Sequence, residues 1–265
     1  MQTRWEKRGN MLNVERYSQI MALLKSHESM KVDELGKILA VSENTVRRDL
    51  AHLEKNGLLI RIQGGATLSD LQKHAPSNQA RTALFQDEKQ SIAREAAKLV
   101  RSNCSIIVDA GTTTLGICSH IKGFRNLTVI TNSLETCNTL AHTVPVSIIL
   151  SGGVLLESTN SFVGKPAEAF FSSLHADILF LGAKGVSAVS GLSNENFYET
   201  PVKQKMIASA DKIVLLADHS KFGREALSSF ARLEDIDTVI TDDQIEPHYV
   251  ELLQSRGIEV IIAHN

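Results

Sequence analysis

Hydrophobic residues in the first quarter of the chain recur at the spacing of short amphipathic helices. Two such sets fall within residues 17–24 and 32–39, and a third, Val46, Leu50 and Leu53, forms an apolar stripe on the segment that follows Ser42. A tight connection at residues 40–41 separates the second set from the third. Three short helices with a turn before the last predict a helix-turn-helix.

The third predicted helix carries a polar and cationic face opposite its apolar stripe. Ser42 is suited to cap the first amides of the helix, and Asn44, Thr45 and Arg48 lie in its first turns. The first turns of a recognition helix usually reach base edges, where Arg can pair with guanine and Asn with adenine. We predict contacts to double-stranded operator DNA at Ser42, Asn44, Thr45, Arg47, Arg48, His52 and Arg61.

A two-stranded β-wing is predicted directly after this helix. Residues 58–63 are β-prone, and Gly64 and Gly65 supply a turn that permits positive φ. Arg61 would then lie near DNA phosphates. An ordinary helical bundle with a solvated Arg47-Arg48 pair is the alternative, but the cap, the cationic face and the glycine wing occur together and favour DNA binding.

Length and charge indicate two domains and an assembly of several copies. The 265 residues fit two domains, and a hydrophobic content of 43% is sufficient for buried cores. Residues 1–70 contain 11 Lys/Arg and 9 Asp/Glu, whereas the remainder contains 17 and 21. So weak a basic excess implies few phosphate contacts per subunit, and we therefore expect a homo-oligomer, either a dimer or a tetramer.

The cysteines and the N-terminal residues indicate in which cellular compartment the protein is expected. Cys104, Cys118 and Cys137 are odd in number and lack metal-ligand spacing, so we expect neither disulfides nor a metal site, and no cofactor. The polar and basic residues 1–10 form neither a signal peptide nor a membrane span, and Met11 could be the true start. A cytoplasmic protein without a membrane partner is expected.

The rest of the chain alternates between helix-like and strand-like runs. A polar segment predicts a linker at 67–85, between a winged helix-turn-helix domain at 12–66 and a second domain at 86–265. Helices are predicted at 87–100, 113–121, 134–142, 166–173, 198–208 and 247–255, and strands at 105–109, 127–131, 146–150, 178–181, 213–217, 238–241 and 258–262. This alternation predicts an α/β domain with a mainly parallel sheet that helices cover on both faces.

Loops rich in Gly, Ser and Thr follow several predicted strands. After Asp109, residues 110–114 offer backbone amides, hydroxyl groups and a helix N-terminus to an anion such as phosphate. Neither the P-loop nor the dinucleotide pattern is present, which disfavours nucleotide binding. Because ligands of open α/β sheets bind beyond the carboxyl ends of strands, we predict one shared ligand pocket. Its candidate residues are Asp109, Gly111, Thr112, Thr113, Thr114, Asn132, Ser133, Gly152, Gly153, Gly164, Lys184, Glu199, Lys203, Asp218 and Lys221.

Two of these candidates, Lys203 and Lys221, could neutralise a phosphate. Glu199 precedes Lys203 by one helical turn, so a plain surface ion pair between them is an equally good interpretation. Asp218 and Lys221 follow a strand end, which favours the pocket.

Two stretches of the sequence resemble the DeoR family of bacterial transcriptional regulators. The first runs from Val41 to Leu50 and continues through Leu53-Glu54, Gly57-Leu58-Leu59, Arg61 and Gly64-Gly65-Ala66; the second comprises Asp109-Ala110-Gly111-Thr112-Thr113, Thr131-Asn132-Ser133, Gly152-Gly153, Gly164, Glu199, Lys203 and residues 218–223. The resemblance implies a winged helix-turn-helix joined to a sensor domain similar to sugar-phosphate isomerases and CoA-transferases. It also implies a phosphorylated sugar or related metabolite as effector, and repression of a carbohydrate catabolic operon.

Lys184 departs from the family pattern, in which many relatives have a small or acidic residue and the isomerases place acidic catalytic residues. This departure weakens the case for catalysis, and the extra cation could suit the carboxylate of a sugar acid. The main hypothesis is a regulator that is not an enzyme, with an operator affinity changed by a phosphorylated sugar or sugar acid. The alternative is a sugar-phosphate isomerase with an accessory DNA-binding domain, for which Asp109, Glu199 and Asp218 are the candidate general bases.

Overall fold

The computed structural model describes residues 13–27, 29–55, 59–68, 84–141 and 146–264. The chain divides into two compact units, Met1–Ala75 and Pro76–Asn265. The alternative start at Met11 and all but four residues of the predicted linker lie outside the described residues. In the described part of the chain, no helix is long and apolar enough to cross a membrane.

The first unit contains the predicted helix-turn-helix. Its elements are α1 (Asn13–Ser26), β1 (Ser29–Lys31), α2 (Val32–Ile38), α3 (Glu43–Lys55), β2 (Leu59–Ile62) and β3 (Gly65–Leu68). Ile20, Leu35 and Leu50, one from each helix, are almost completely buried. Burying a side chain of this size contributes about 1.5–3 kcal/mol. The apolar stripes that the sequence placed on the three helices therefore form the core of this domain.

The wing is a three-stranded sheet rather than the expected two-stranded one. β3 pairs antiparallel with both β1 and β2, and β1 went unpredicted because three residues are too short to show a period. Gly64 adopts a φ of 80° in the turn, which glycine does without strain. At Gly65 a Cβ atom would lie 2.2 Å from the carbonyl oxygen of Met30, so no side chain fits there. β3 continues to Leu68, two residues beyond the predicted end of the domain at residue 66.

The second unit is built from alternating helices and strands. Its helices are α4 (Gln86–Ala97), α5 (Thr112–Leu115), α6 (Leu134–Ala141), α7 (Lys165–Ser172), α8 (Glu199–Ala208) and α9 (Pro247–Ser255). Its strands are β4 (Ser105–Val108), β5 (Thr128–Thr131), β6 (Ser147–Leu150), β7 (Val154–Leu156), β8 (Ser161–Val163), β9 (Ala176–Gly182), β10 (Gly185–Ser187), β11 (Gly191–Asn194), β12 (Ala210–Leu216), β13 (Ser228–Ala231), β14 (Thr238–Asp242) and β15 (Glu259–Ala263).

Seven of these strands form one parallel sheet in the order β15-β14-β12-β9-β4-β5-β6. Ile106 and Val108 pack on one face with residues of α4, whereas Ile107 packs on the other face with residues of α7 and α8. Both faces are therefore buried, which explains why the strands read as continuous apolar runs. The predicted α/β domain with a mainly parallel sheet is confirmed.

The strand order reverses between β4 and β9, with β5 and β6 on one side and β12, β14 and β15 on the other. In open α/β sheets such a reversal opens a crevice at the carboxyl ends of the two central strands, and ligands bind there. The loops that follow β4 and β9 are therefore the expected position of a ligand-binding site.

Short elements and one helix differ from the prediction. The hairpin β7–β8 and the antiparallel sheet β10-β11-β13 were not predicted. The helix predicted at 113–121 is the four-residue α5 followed by a 3-10 helix, Gly116–Ser119. Gly116 lies so close to α4 that a Cβ atom would approach the Cβ of Ala93 to 2.7 Å.

Candidate functional site

The N-terminus of α3 presents the predicted polar surface. The Ser42 hydroxyl accepts a hydrogen bond from the backbone N–H of Thr45 at 3.2 Å, which is the geometry of a helix cap. The Thr45 hydroxyl lies 2.9 Å from the same Ser42 oxygen, so it belongs to the cap as well. Asn44 is exposed beside them.

The two adjacent arginines of α3 differ in their partners. Arg47 forms an exposed ion pair with Glu43 one turn earlier, at 3.1 Å. Arg48 is also exposed and has no ion-pair partner among the residues that the structure describes. Its guanidinium is therefore available to an acceptor from outside the chain.

A buried ion pair that the sequence did not reveal anchors α3 to α1. The guanidinium of Arg16 donates two hydrogen bonds to the carboxylate of Asp49, at 2.5 and 2.9 Å, and both side chains are almost fully buried. Hydrogen bonding to Asp49 raises the pKa of Arg16. Because Asp49 follows Arg48 in the sequence, this ion pair fixes the part of α3 that carries the exposed side chain of Arg48.

The other two predicted DNA contacts, His52 and Arg61, interact with side chains of their own domain. His52 stacks on the ring of Tyr17, with centroids 5.0 Å apart. The Arg61 guanidinium donates to Glu54 at 2.6 Å, and the Arg61 backbone N–H donates to the other oxygen of the same carboxylate at 3.0 Å. The side-chain hydrogen bond from Arg61 lowers the pKa of Glu54. Glu54 thus ties the wing to α3, and a phosphate would have to compete with it for Arg61.

A cavity of about 230 Å³ lies in the second unit, at the strand reversal. Predicted residues that line it are Gly111, Thr112, Thr113, Thr114, Lys184, Glu199, Lys203 and Lys221. The backbone N–H groups at the start of α5 have no partner within their own helix, so they can donate to a ligand. The Thr114 hydroxyl, in contrast, donates to the carbonyl oxygens of Asp109 and Gly111, at 2.7 and 2.9 Å.

Lys203 crosses the reversal to the strand-end carboxylate of Asp109. Its ammonium donates to Asp109 Oδ2 and, at 2.8 Å, to the carbonyl oxygen of Gly182. The backbone N–H of Gly182 donates to the same carboxylate oxygen at 3.0 Å. Both charged side chains are buried. The interpretation of Glu199 and Lys203 as a surface ion pair is therefore wrong, because Lys203 reaches past Glu199 to Asp109.

Glu199 is buried among polar groups at the edge of the cavity. Its carboxyl oxygens lie 3.3 Å from Asn194 Nδ2 and 3.5 Å from Ser161 Oγ. Burial raises the pKa of Glu199, and the nearby ammonium of Lys203 opposes that rise. This carboxyl group is suited to hydrogen bonding with hydroxyl groups of a ligand.

Lys221 reaches the cavity from the segment that follows β12. Its ammonium lies 3.1 Å from the buried carboxylate of Asp218, which also accepts a hydrogen bond from the backbone N–H of Ser220 at 3.1 Å. Burial acts to raise the pKa of Asp218, but Lys221, Ser220 and Lys89 together lower it below its ordinary value. Asp218 therefore holds Lys221 and does not line the cavity itself.

Lys184, the departure from the family pattern, does line the cavity. Its ammonium lies 3.3 Å from the carboxylate of Glu195, which also lines the cavity. The extra positive charge that the sequence suggested is thus accompanied by a carboxylate.

Besides Asp109 and Asp218, five predicted residues are not among those that line the cavity, and they have structural roles. Asn132 accepts a hydrogen bond from the backbone N–H of Ala110 at 3.1 Å, and the Ser133 hydroxyl accepts one from the N–H of Thr136 at the start of α6. Gly152, Gly153 and Gly164 all have positive φ. The Gly, Ser and Asn residues at these strand ends, which suggested a pocket, form helix caps and tight turns instead.

Sequence reasoning missed several lining residues, namely Leu84, Phe85, Lys89, Thr159, Asn194, Glu195, Ser220 and Arg224. Thr159, Asn194 and Glu195 lie in or close to β7 and β11, two strands that were not predicted. Lys89 had a signal, since it precedes Ile92 and Ala93 by three and four residues and so falls on the buried face of α4. With it, five cationic side chains (Lys89, Lys184, Lys203, Lys221, Arg224) and two carboxylates (Glu195, Glu199) line the cavity. The excess of positive charge suits an anion.

A winged helix-turn-helix with an exposed arginine, joined to a separate α/β domain with its own cavity, defines a DNA-binding regulator. Residues 16–72 match the DeoR-like helix-turn-helix domain, and residues 85–243 match the DeoR C-terminal sensor domain. The chain belongs to the DeoR family of transcriptional regulators.

Named relatives are similar to this chain over nearly its whole length. The HTH-type transcriptional regulator GolR of Listeria innocua is 37% identical, over 96% of this chain and 100% of its own. The HTH-type transcriptional repressor GlcR of Bacillus subtilis is 33% identical (95% and 97%), and the glycerol-3-phosphate regulon repressor of Escherichia coli is 30% identical (94% and 99%). These names are those of regulators and not of enzymes, so the isomerase alternative is not favoured.

Ribose 5-phosphate isomerases are among the similar solved structures. The isomerase of Methanocaldococcus jannaschii aligns over 52% of this chain and 54% of its own, with 20% identity and a TM-score of 0.38. A similarity this slight carries no argument about function.

Proposed function

We propose that this protein is a repressor of a carbohydrate catabolic operon, and that a phosphorylated sugar or sugar acid bound in the sensor cavity changes its affinity for operator DNA. The observation that carries the proposal is the excess of cationic side chains among the residues that line the cavity at the strand reversal. The glycerol-3-phosphate regulon repressor is a relative whose name refers to a phosphorylated metabolite. A phosphate group fits the lysines, and hydroxyl groups fit the polar surroundings of Glu199.

On the DNA side, Arg48 and Asn44 are the proposed base contacts, because both are exposed in the first turns of α3. Arg47, His52 and Arg61 are the proposed phosphate contacts, with Ser42 and Thr45 shaping the end of the helix. Few cations lie on this surface, so two or more copies would act together on one operator, in the cytoplasm.

On the effector side, Gly111, Thr112 and Thr113 would bind phosphate oxygens through the free amides of α5. Lys203 and Lys221 would neutralise the charge, with Asp109 and Asp218 fixing their positions. Lys184 would meet a second acidic group only if that group displaces Glu195.

Fluorescence anisotropy with the intergenic DNA upstream of the gene tests the DNA half of the proposal. We expect sequence-selective binding that weakens as salt rises. Thermal-shift screening of phosphorylated sugars and sugar acids, with their unphosphorylated forms as matched controls, tests the effector half. Stabilisation by phosphorylated compounds alone is expected, whereas equal stabilisation by the unphosphorylated forms would refute the phosphate assignment.

A further inference from the structure

One wall of the cavity is formed where the chain enters the sensor domain. Leu84 and Phe85 immediately precede α4, and both line the cavity. Lys89, one helical turn further on, also lines it and is only 6% exposed. The segment that leads from the DNA-binding domain is therefore continuous in sequence with residues that a cavity ligand would touch.

Two lysines contact this entry segment, which we define as Leu84 and Phe85. The Lys89 ammonium donates a hydrogen bond to the carbonyl oxygen of Leu84 at 2.5 Å. The Lys221 ammonium lies 5.9 Å from the centroid of the Phe85 ring, within the range of a cation–π contact. His219 meets the same ring edge-on at 5.0 Å.

The backbone of Phe85 depends on such contacts. Its φ is 53°, in the left-handed region that bulky residues seldom adopt. Residues in this region stay there only when their surroundings hold them, and they cluster at ligand clamps and switches. Loss of the lysine contacts would allow the segment to relax to an ordinary conformation.

The same two lysines are the groups that an anion would attract. Lys221 forms an ion pair with Asp218 at 3.1 Å, and the charge of Lys89 also acts to lower the pKa of that carboxylate. Both lysines line the cavity, so an anion bound at this end of it would attract both ammonium groups.

We propose that the anionic group of the effector binds between Lys89 and Lys221 and draws both ammonium groups away from Leu84 and Phe85, which releases the entry segment. This inference rests on the proposed function and adds the route by which an occupied cavity acts on the chain leading to the DNA-binding domain. It assigns a binding role to Lys89 and a signalling role to Phe85.

The test uses the full-length protein with inorganic phosphate, against potassium chloride at the same ionic strength. Thermal shift reports binding, and hydrogen–deuterium exchange of the peptide containing residues 84–89 reports release. In the wild-type protein, phosphate should raise the melting temperature and speed exchange in this peptide. Lys89→Met should lose both effects, whereas Lys98→Met, which removes an exposed lysine just after α4, should keep both.

Variants of Phe85 separate binding from release. Phe85→Asn removes the ring but keeps a residue that tolerates the left-handed conformation, so phosphate should still stabilise the protein but no longer change exchange at 84–89. Phe85→Tyr keeps the ring and should behave as wild type. No stabilisation of the wild-type protein by phosphate would contradict the proposed function itself. Stabilisation without a change in exchange, or an unaltered response of Phe85→Asn, would overturn only the present inference.

Discussion

The recognition helix and the sensor cavity arrange their charged side chains in opposite ways. α3 presents Asn44, Arg47 and Arg48 on the exposed face of a single helix, and Arg48 has no ion-pair partner among the described residues. In the cavity, lysines from separate segments each lie close to a carboxylate, as Lys203 does to Asp109. Water solvates an exposed charge, so Arg48 needs no partner in the absence of DNA. A buried charge without a partner lowers the stability of the fold, so the lysines of the cavity need carboxylate partners even when no ligand is bound.

Lys203→Met should have the largest effect on stability, since it leaves the buried carboxylate of Asp109 unpaired. We expect a loss of about 3–5 kcal/mol in the free energy of unfolding, measured by urea denaturation. Lys205→Met is the matched control on the same helix, because Lys205 is exposed, and it should change stability little. Equal stability of the two variants would show that the buried pair makes no net contribution.

Arg48→Ala should reduce discrimination between operator and unrelated DNA by about 1–3 kcal/mol if this residue reads a base. Anisotropy titrations on both DNAs measure it, with Arg47→Ala as the neighbouring control. Since Arg47 is already paired with Glu43, its loss should weaken binding to both DNAs alike and by less. The same uniform weakening in Arg48→Ala would make Arg48 a phosphate contact instead.

Ser42→Ala should cost about 1 kcal/mol of domain stability, because the backbone N–H of Thr45 loses its cap. Thermal or urea denaturation of the variant measures this. Ser42→Asp, which restores an acceptor at the cap, should recover most of the loss. If Ser42→Ala were as stable as wild type, Ser42 would not be the N-cap residue of α3.

Glu54→Gln should have the smallest effect, because the Glu54–Arg61 pair is exposed. Arg61 lowers the pKa of Glu54 in the folded protein, so the pair stabilises the fold above the ordinary carboxyl pKa, and this stabilisation is lost as the pH falls through the lowered pKa. The melting temperatures of wild type and variant should differ slightly at neutral pH and converge in acid. A difference that grows in acid would contradict this assignment.

The two regions also differ in how far sequence could predict them. The recognition helix is one continuous segment, so the period of Val46, Leu50 and Leu53 sufficed to place its exposed face. The alternation of helices and strands likewise predicted the parallel sheet, because long buried elements leave a clear pattern.

The cavity was predicted only in part, because its walls come from segments far apart in the chain. Asp109 and Lys203 were both selected as candidates, yet nothing local indicated that the lysine reaches across the strand reversal to that carboxylate. Polar strand ends such as Asn132 and Ser133 have the composition of a binding loop but serve as structural hydrogen-bond acceptors. The Arg16–Asp49 pair likewise joins residues on separate helices, and no spacing rule connects them.

The central claim is that the sensor cavity controls operator binding by α3, and the operator affinity of Lys221→Ala tests it most directly. Anisotropy titrations would compare wild type and variant with and without the phosphorylated compound that gives the largest thermal shift. We predict that the compound changes the operator affinity of wild type by about fivefold or more, and that Lys221→Ala largely loses this change. An undiminished response in Lys221→Ala would contradict the account.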